Sequence, residues 1–89
     1  MSDVLIFGGT TEGRELAEYC ISNNINADVS VTTDYGASLL PKETISICGK
    51  LDSEQMAILI SNNKYRIIID ATHPYAVEAS QNIKRACYR

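Results

Sequence analysis

Eight residues near the start of the chain, Phe7-Gly8-Gly9-Thr10-Thr11-Glu12-Gly13-Arg14, have the types and spacing to hold a phosphate. Glycines at the C-terminal end of a strand let the backbone turn tightly and come close to an anion. The free amides and positive dipole of a following helix attract that anion. The dinucleotide fingerprint G-x-G-x-x-G would put a glycine where Thr10 stands, so Gly8, Thr10 and Gly13 form a G-x-T-x-x-G variant. Thr10 and Thr11 can bond phosphate oxygens or cap the helix, and the two roles can coexist.

Three further clusters carry polar groups. Thr33-Asp34-Tyr35 stands where nucleotide-binding folds address the ribose, and Asp34 either meets a 2′-hydroxyl or simply begins a turn. In Gly49-Lys50-Leu51-Asp52, Lys50 can reach a phosphate or remain solvated, while Asp52 reads as a helix cap. Asp70-Ala71-Thr72-His73-Pro74-Tyr75-Ala76 is a polar and aromatic cluster with the chain's one imidazole, a group able to donate or relay a proton. Its plainer reading is a loop histidine with one structural bond and Pro74 in the first helical turn. A Ser80/His73/Asp70 hydrolase triad can be drawn, but the Gly-x-Ser-x-Gly elbow is missing.

The elements that must position these groups follow from periodicity. Val4 to Phe7 is a short unbroken apolar run, the mark of a strand buried on both faces. From Glu12 to about Ser22, Leu16, Ala17, Cys20 and Ile21 recur at three- and four-residue spacing among charged residues, which predicts an amphipathic helix. Val29 to Thr33 predicts a second strand, with a helical turn possible over 37–40. Thr44 to Cys48 predicts a third strand. Asp52 as N-cap with Gln55 three residues on starts another helix, Ile67 to Ile69 gives a fourth strand, and Ala76, Ala79, Ile83 and Ala86 mark a last helix. The alternation predicts an α/β, Rossmann-like three-layer domain, 1–89, with a parallel sheet of four or more strands and right-handed crossovers.

Composition narrows the function classes. At 45% hydrophobic and 21% charged residues the chain is expected to fold, and 89 residues suffice for one small domain. A net charge of -3 without a run of Lys or Arg argues against nucleic acid and anionic membrane as partners. Cys20, Cys48 and Cys87 lack paired spacing, so they read as mostly buried reduced thiols and not as a metal site. With no leader pattern before the first strand, the expected location is the cytoplasm. The abrupt end just after a helix suggests a fragment.

Taken together, the segments Ile6 to Arg14, Gly49 to Asp52 and Asp70 to Ala76 resemble the N-terminal half of the precorrin-6A reductases, aerobic or cobalt-dependent. The resemblance implies an NADPH-dependent reductase of cobalamin biosynthesis that saturates one double bond of a tetrapyrrole. It also implies two Rossmann-like domains enclosing cofactor and macrocycle, the second of them absent here. Gly8, Gly9, Thr10, Thr11, Glu12 and Gly13 would then hold the pyrophosphate. Thr33 and Lys50 would lie toward the adenosine ribose, and Thr72, His73 and Tyr75 would face nicotinamide and substrate, with the proton coming from His73, from Tyr75, from the missing half or from water. Family members commonly carry Arg where Lys50 stands, and Lys lacks the bidentate fork. The competing reading is a stand-alone NAD-binding regulatory domain of the potassium-channel regulator type. It shares the layout but gives no reason for His73-Pro74-Tyr75. A short-chain dehydrogenase would need Tyr-x-x-x-Lys, which Tyr75 and Ala79 do not supply.

Overall fold

The computed structural model describes residues 2–88. The elements are β1 (Val4–Phe7), α1 (Thr11–Ser22), β2 (Ala27–Val31), α2 (Asp34–Ser38), β3 (Ile45–Cys48), α3 (Ser53–Asn63), β4 (Ile67–Asp70) and α4 (Val77–Cys87). All strand pairs are parallel and the sheet order is β3-β2-β1-β4. Chain direction across the sheet therefore reverses between β1 and β4, and the crevice at such a switch point, outside the strands' carboxyl ends, is where this architecture binds ligands.

Two apolar layers hold the sheet. On one face Val4, Ile6, Val29 and Val31 pack with Ala17 and Cys20 of α1; on the other Leu5 and Phe7 pack with Met56 of α3 and with Ile83 and Ala86 of α4. The alternation within β1 sends Leu5 and Ile6, both fully buried, to opposite faces. This is the three-layer arrangement expected of a strand with no polar alternation.

Strand β4, an apolar run like β1, differs from that expectation, and β3 is largely exposed as well. Ile45 of β3 and Ile67 of β4 are 61% and 54% exposed. Each belongs to an outermost strand of the four, with a hydrogen-bonded neighbour on one side only. Strand β2 begins two residues earlier than predicted and ends at Val31. Its start is masked in the sequence by Asp28, whose buried carboxylate accepts from the Ser2 hydroxyl (2.6 Å) and the Tyr65 phenol (2.5 Å). Burial, then the bond to Asp28, pushes the Tyr65 phenol above its usual range. Thr32 and Thr33 leave the strand because the Thr33 hydroxyl accepts from the Gly36 amide (3.0 Å) and opens α2.

Asp52 caps α3 as predicted, in a reciprocal box with Gln55. The helix continues through Asn63 and ends on Lys64 in the left-handed region, φ 52°. Pro74 is not in the first turn of α4. The His73 carbonyl accepts from the Ala76 amide (2.8 Å), so Pro74 is the second residue of a tight turn ahead of the helix, a position its fixed φ suits.

Among the thiols only Cys20 is buried; Cys48 and Cys87 are exposed, against the expectation of mostly buried cysteines. Cys48 ends an outer strand and Cys87 ends the last helix. Among the described residues no group of three or more His, Cys, Asp or Glu side chains could hold a metal ion. No helix there is long and apolar enough to cross a membrane.

Candidate functional site

The turn from β1 into α1 is built on three glycines with three different reasons. A Cβ on Gly13 would meet the Gly8 Cα at 2.9 Å, so Gly13 lets helix and strand approach this closely, whereas a Cβ on Gly8 would press on Val29 of β2 at 3.0 Å. Gly9 has φ +93°, a conformation that L side chains rarely adopt, and open space where a side chain would be. Its backbone is thus laid bare toward solvent.

Thr10, in the place of the fingerprint's second glycine, is the N-cap of α1: its hydroxyl accepts from the Gly13 amide (3.1 Å) and donates to the Ala71 carbonyl (2.5 Å). The hydroxyl proton is therefore committed to the loop after β4 and not available to a phosphate oxygen. Of the two roles open to Thr10, its side chain takes capping. Thr11 and Glu12, the first helical residues, have amides without an intrahelical acceptor, and these stand at the positive pole of the helix.

Above this turn lies an open depression of about 620 Å³, within the span of roughly 300–1,000 Å³ usual for small-molecule sites. It is lined by Gly9, Thr10, Thr11, Glu12 and Arg14, by Thr33 and Tyr35 at the start of α2, and by His73 and Pro74. A diphosphate fits the donors here, since the bare Gly9 backbone and the α1 terminus face one continuous space. Two of its lining side chains, Arg14 and Tyr35, stand within the motifs read from the sequence but were given no role of their own there. Arg14 closes the glycine motif and was legible there as a cation one turn into the helix.

The remaining expected site residues fall elsewhere. Gly8, Lys50, Thr72 and Tyr75 line a second depression of about 260 Å³, with Met56 of α3 and Ile83 of α4 among its walls. Lys50 shares this second depression with Thr32, and its ammonium lies 3.9 Å from Glu78 of α4, on the face of the sheet that α3 and α4 cover. Asp34, the first residue of α2, does not line the main depression either, and its carboxylate accepts from the Cys48 thiol (3.3 Å).

His73 and Tyr75 stack, ring centres 4.9 Å apart, although each lines a different depression. The Tyr75 amide donates to His73 Nδ1 (3.2 Å), so in the neutral ring the proton sits on Nε2. The hydrolase triad does not form. Ser80 donates directly to Asp70 (2.7 Å), and the Thr72 hydroxyl and amide take the other carboxylate oxygen (2.6 and 3.0 Å), with no imidazole between them. Burial alone would raise the Asp70 pKa, yet these hydrogen bonds from Thr72 and Ser80 outweigh it and hold the carboxyl below its ordinary range.

Sheet order, glycine turn and switch-point depression define a Rossmann-like α/β domain. A family model described as Precorrin-6x reductase CbiJ/CobK matches residues 3–89, and the chain belongs to that family. It is 38% identical over 86 residues to a cobalt-precorrin-6A reductase of Salmonella typhimurium strain LT2, covering 96% of this chain and 33% of the relative. It is 30% identical over 89 residues to a precorrin-6A reductase of Sinorhizobium, covering 97% and 33%. A solved structure titled CobK precorrin-6A reductase superposes with a TM-score of 0.83 at 28% identity, over 99% of this chain and 34% of that one. The chain thus spans about a third of the length of the relatives it matches.

Proposed function

We propose that the chain is the NADPH-binding, Rossmann-like domain of a precorrin-6A or cobalt-precorrin-6A reductase, and that the rest of the family's length completes a cleft for the tetrapyrrole. One observation carries the reading: the close-packed Gly8 and Gly13 turn leaves Gly9 bare and the α1 terminus open to a depression that continues to the end of β2. Family membership supports the reduction of a corrin precursor.

In this reading the bound nicotinamide nucleotide supplies the hydride, and the chain supplies orientation. The Gly9 backbone and the Thr11 and Glu12 amides receive the diphosphate. Thr10 holds the turn against Ala71 through its hydroxyl and contributes no side-chain bond to phosphate. Thr33 and Tyr35 are assigned to the adenosine end, and His73, which lines the same depression, to the nicotinamide end. His73 Nε2 is the atom able to offer a proton there, its other nitrogen being occupied by the Tyr75 amide. Tyr75, Thr72 and Lys50 belong to the opposite side of the sheet and are assigned to the substrate side of the crevice.

Isothermal titration of the folded chain with NADPH and with NADH tests the proposal. Saturable heat with NADPH is expected. A sample with folded far-ultraviolet signal and no heat with either nucleotide would overturn it.

A further inference from the structure

The charges of the main depression are arranged asymmetrically. Gly13 of α1 faces the sheet, its Cα directly above Gly8. An α-helix advances about 100° per residue, so Glu12 and Arg14 leave α1 on opposite flanks. Parallel β-α-β crossovers are right-handed as a rule, and seen from its N-terminus a right-handed helix turns clockwise, so with β2 and β4 on either side of β1 Arg14 falls on the β2 flank and Glu12 on the β4 flank. Both side chains line the depression, which also takes in Thr33, Tyr35 and Gly36, and the helix geometry sets Arg14 as the nearer of the two to β2.

Arg14 is the one Lys or Arg among the residues that line this depression, and among the described residues no ion pair claims it. The acid that would bind a ribose 2′-hydroxyl at the end of β2 is missing from the same wall, because Asp34 is turned to Cys48. A β2 end with no acid facing the ribose and a guanidinium beside it matches a 2′-phosphate better than a 2′-hydroxyl. The planar fork of Arg suits a phosphate dianion in two-point contact.

We infer that Arg14 is the residue that selects the 2′-phosphorylated nucleotide, binding the adenosine 2′-phosphate across the α1–β2 groove; this rests on the nucleotide-binding reading above. Neither the diphosphate nor the reacting ring is its target.

The test is equilibrium titration of the wild-type chain, Arg14→Gln and Arg14→Lys with four ligands: NADPH, NADH, adenosine 2′,5′-bisphosphate and 5′-AMP. Circular dichroism verifies that each protein is folded. Arg14→Gln is expected to weaken NADPH and the bisphosphate by about tenfold or more, as loss of a charge-assisted contact does, and to leave NADH and 5′-AMP within about twofold. Arg14→Lys should fall between the two. An equal loss across all four ligands, or no loss for any, overturns the role of Arg14 while the nucleotide site stands. A folded wild-type chain that binds none of the four brings down the nucleotide reading itself and this inference with it.

Discussion

The Thr10 hydroxyl donates to the Ala71 carbonyl, 61 residues away in sequence, and by the same oxygen caps the amide of Gly13. One side chain thereby joins the turn after β1 to the loop after β4, the two walls of the switch-point crevice. Thr10→Val removes both bonds with little change of shape. It should cost about 1–2 kcal/mol in urea unfolding, the range for a lost N-cap, and Thr10→Ser should recover most of it. Equal unfolding midpoints for Thr10→Val and the wild type would show that the two bonds do not hold the crevice.

Gly13 and Gly9 should resist substitution for different reasons. Alanine at Gly13 brings a Cβ within 2.9 Å of the Gly8 backbone. Overpacking costs roughly 1–3 kcal/mol, which exceeds the helix-propensity gain of about 1 kcal/mol for alanine. Alanine at Gly9 meets nothing but is strained by the positive φ. Its cost should be about 1–2 kcal/mol, and Gly9→Asn should be milder than Gly9→Val. Thermal unfolding of the four variants separates the two causes, and a Gly13→Ala protein more stable than wild type would refute the packing argument.

These two positions also show how far letters reach. Strand β1, helix α1 and the Asp52–Gln55 box were readable because each rests on local spacing, apolar run or cap chemistry. The three isoleucines of β4 misled about burial, since a run of apolar residues reports β structure but not whether a neighbour lies on both sides. Strand β2 was displaced because Asp28 reads as polar until Ser2 and Tyr65 are seen to satisfy it. Lys50 and Thr33 both follow strand ends, yet which side of the sheet each loop serves is decided by the helix it leads to. The same limit hid the reach of Thr10 to Ala71, a contact with no local signature.

The thiols should differ sharply toward alkylating reagents. Cys20 is buried in the core against β1 and β2, burial pushes its thiol up, and it should be modified only on unfolding. Cys48 is exposed, but its bond to Asp34, then burial and the charge of Asp34, raise its pKa and keep thiolate scarce. Asp34→Asn should therefore speed alkylation of Cys48 near neutral pH without exposing Cys20. Mass spectrometry of timed iodoacetamide reactions reads both sites, and an unchanged Cys48 rate in the variant would mean that Asp34 does not govern it.

Asp70 predicts an acid-sensitive element. Its carboxylate clamps the His73 loop to α4 by accepting from Thr72 and Ser80, and those bonds lower its folded pKa despite the opposing effect of burial. A carboxyl depressed on folding stabilises the native state above its unfolded pKa, near 3.9, and that contribution is lost as pH falls through the lower folded value. Asp70→Asn should thus be less stable than wild type at about pH 7, and the gap should close below about pH 4, where wild-type Asp70 also becomes protonated. Asp70 is exposed to solvent, so screening keeps the difference small, and paired urea melts at several pH values are needed to resolve it. A gap that stays the same from neutral pH down to about pH 2 would assign the clamp to packing of the loop and not to the charge on Asp70.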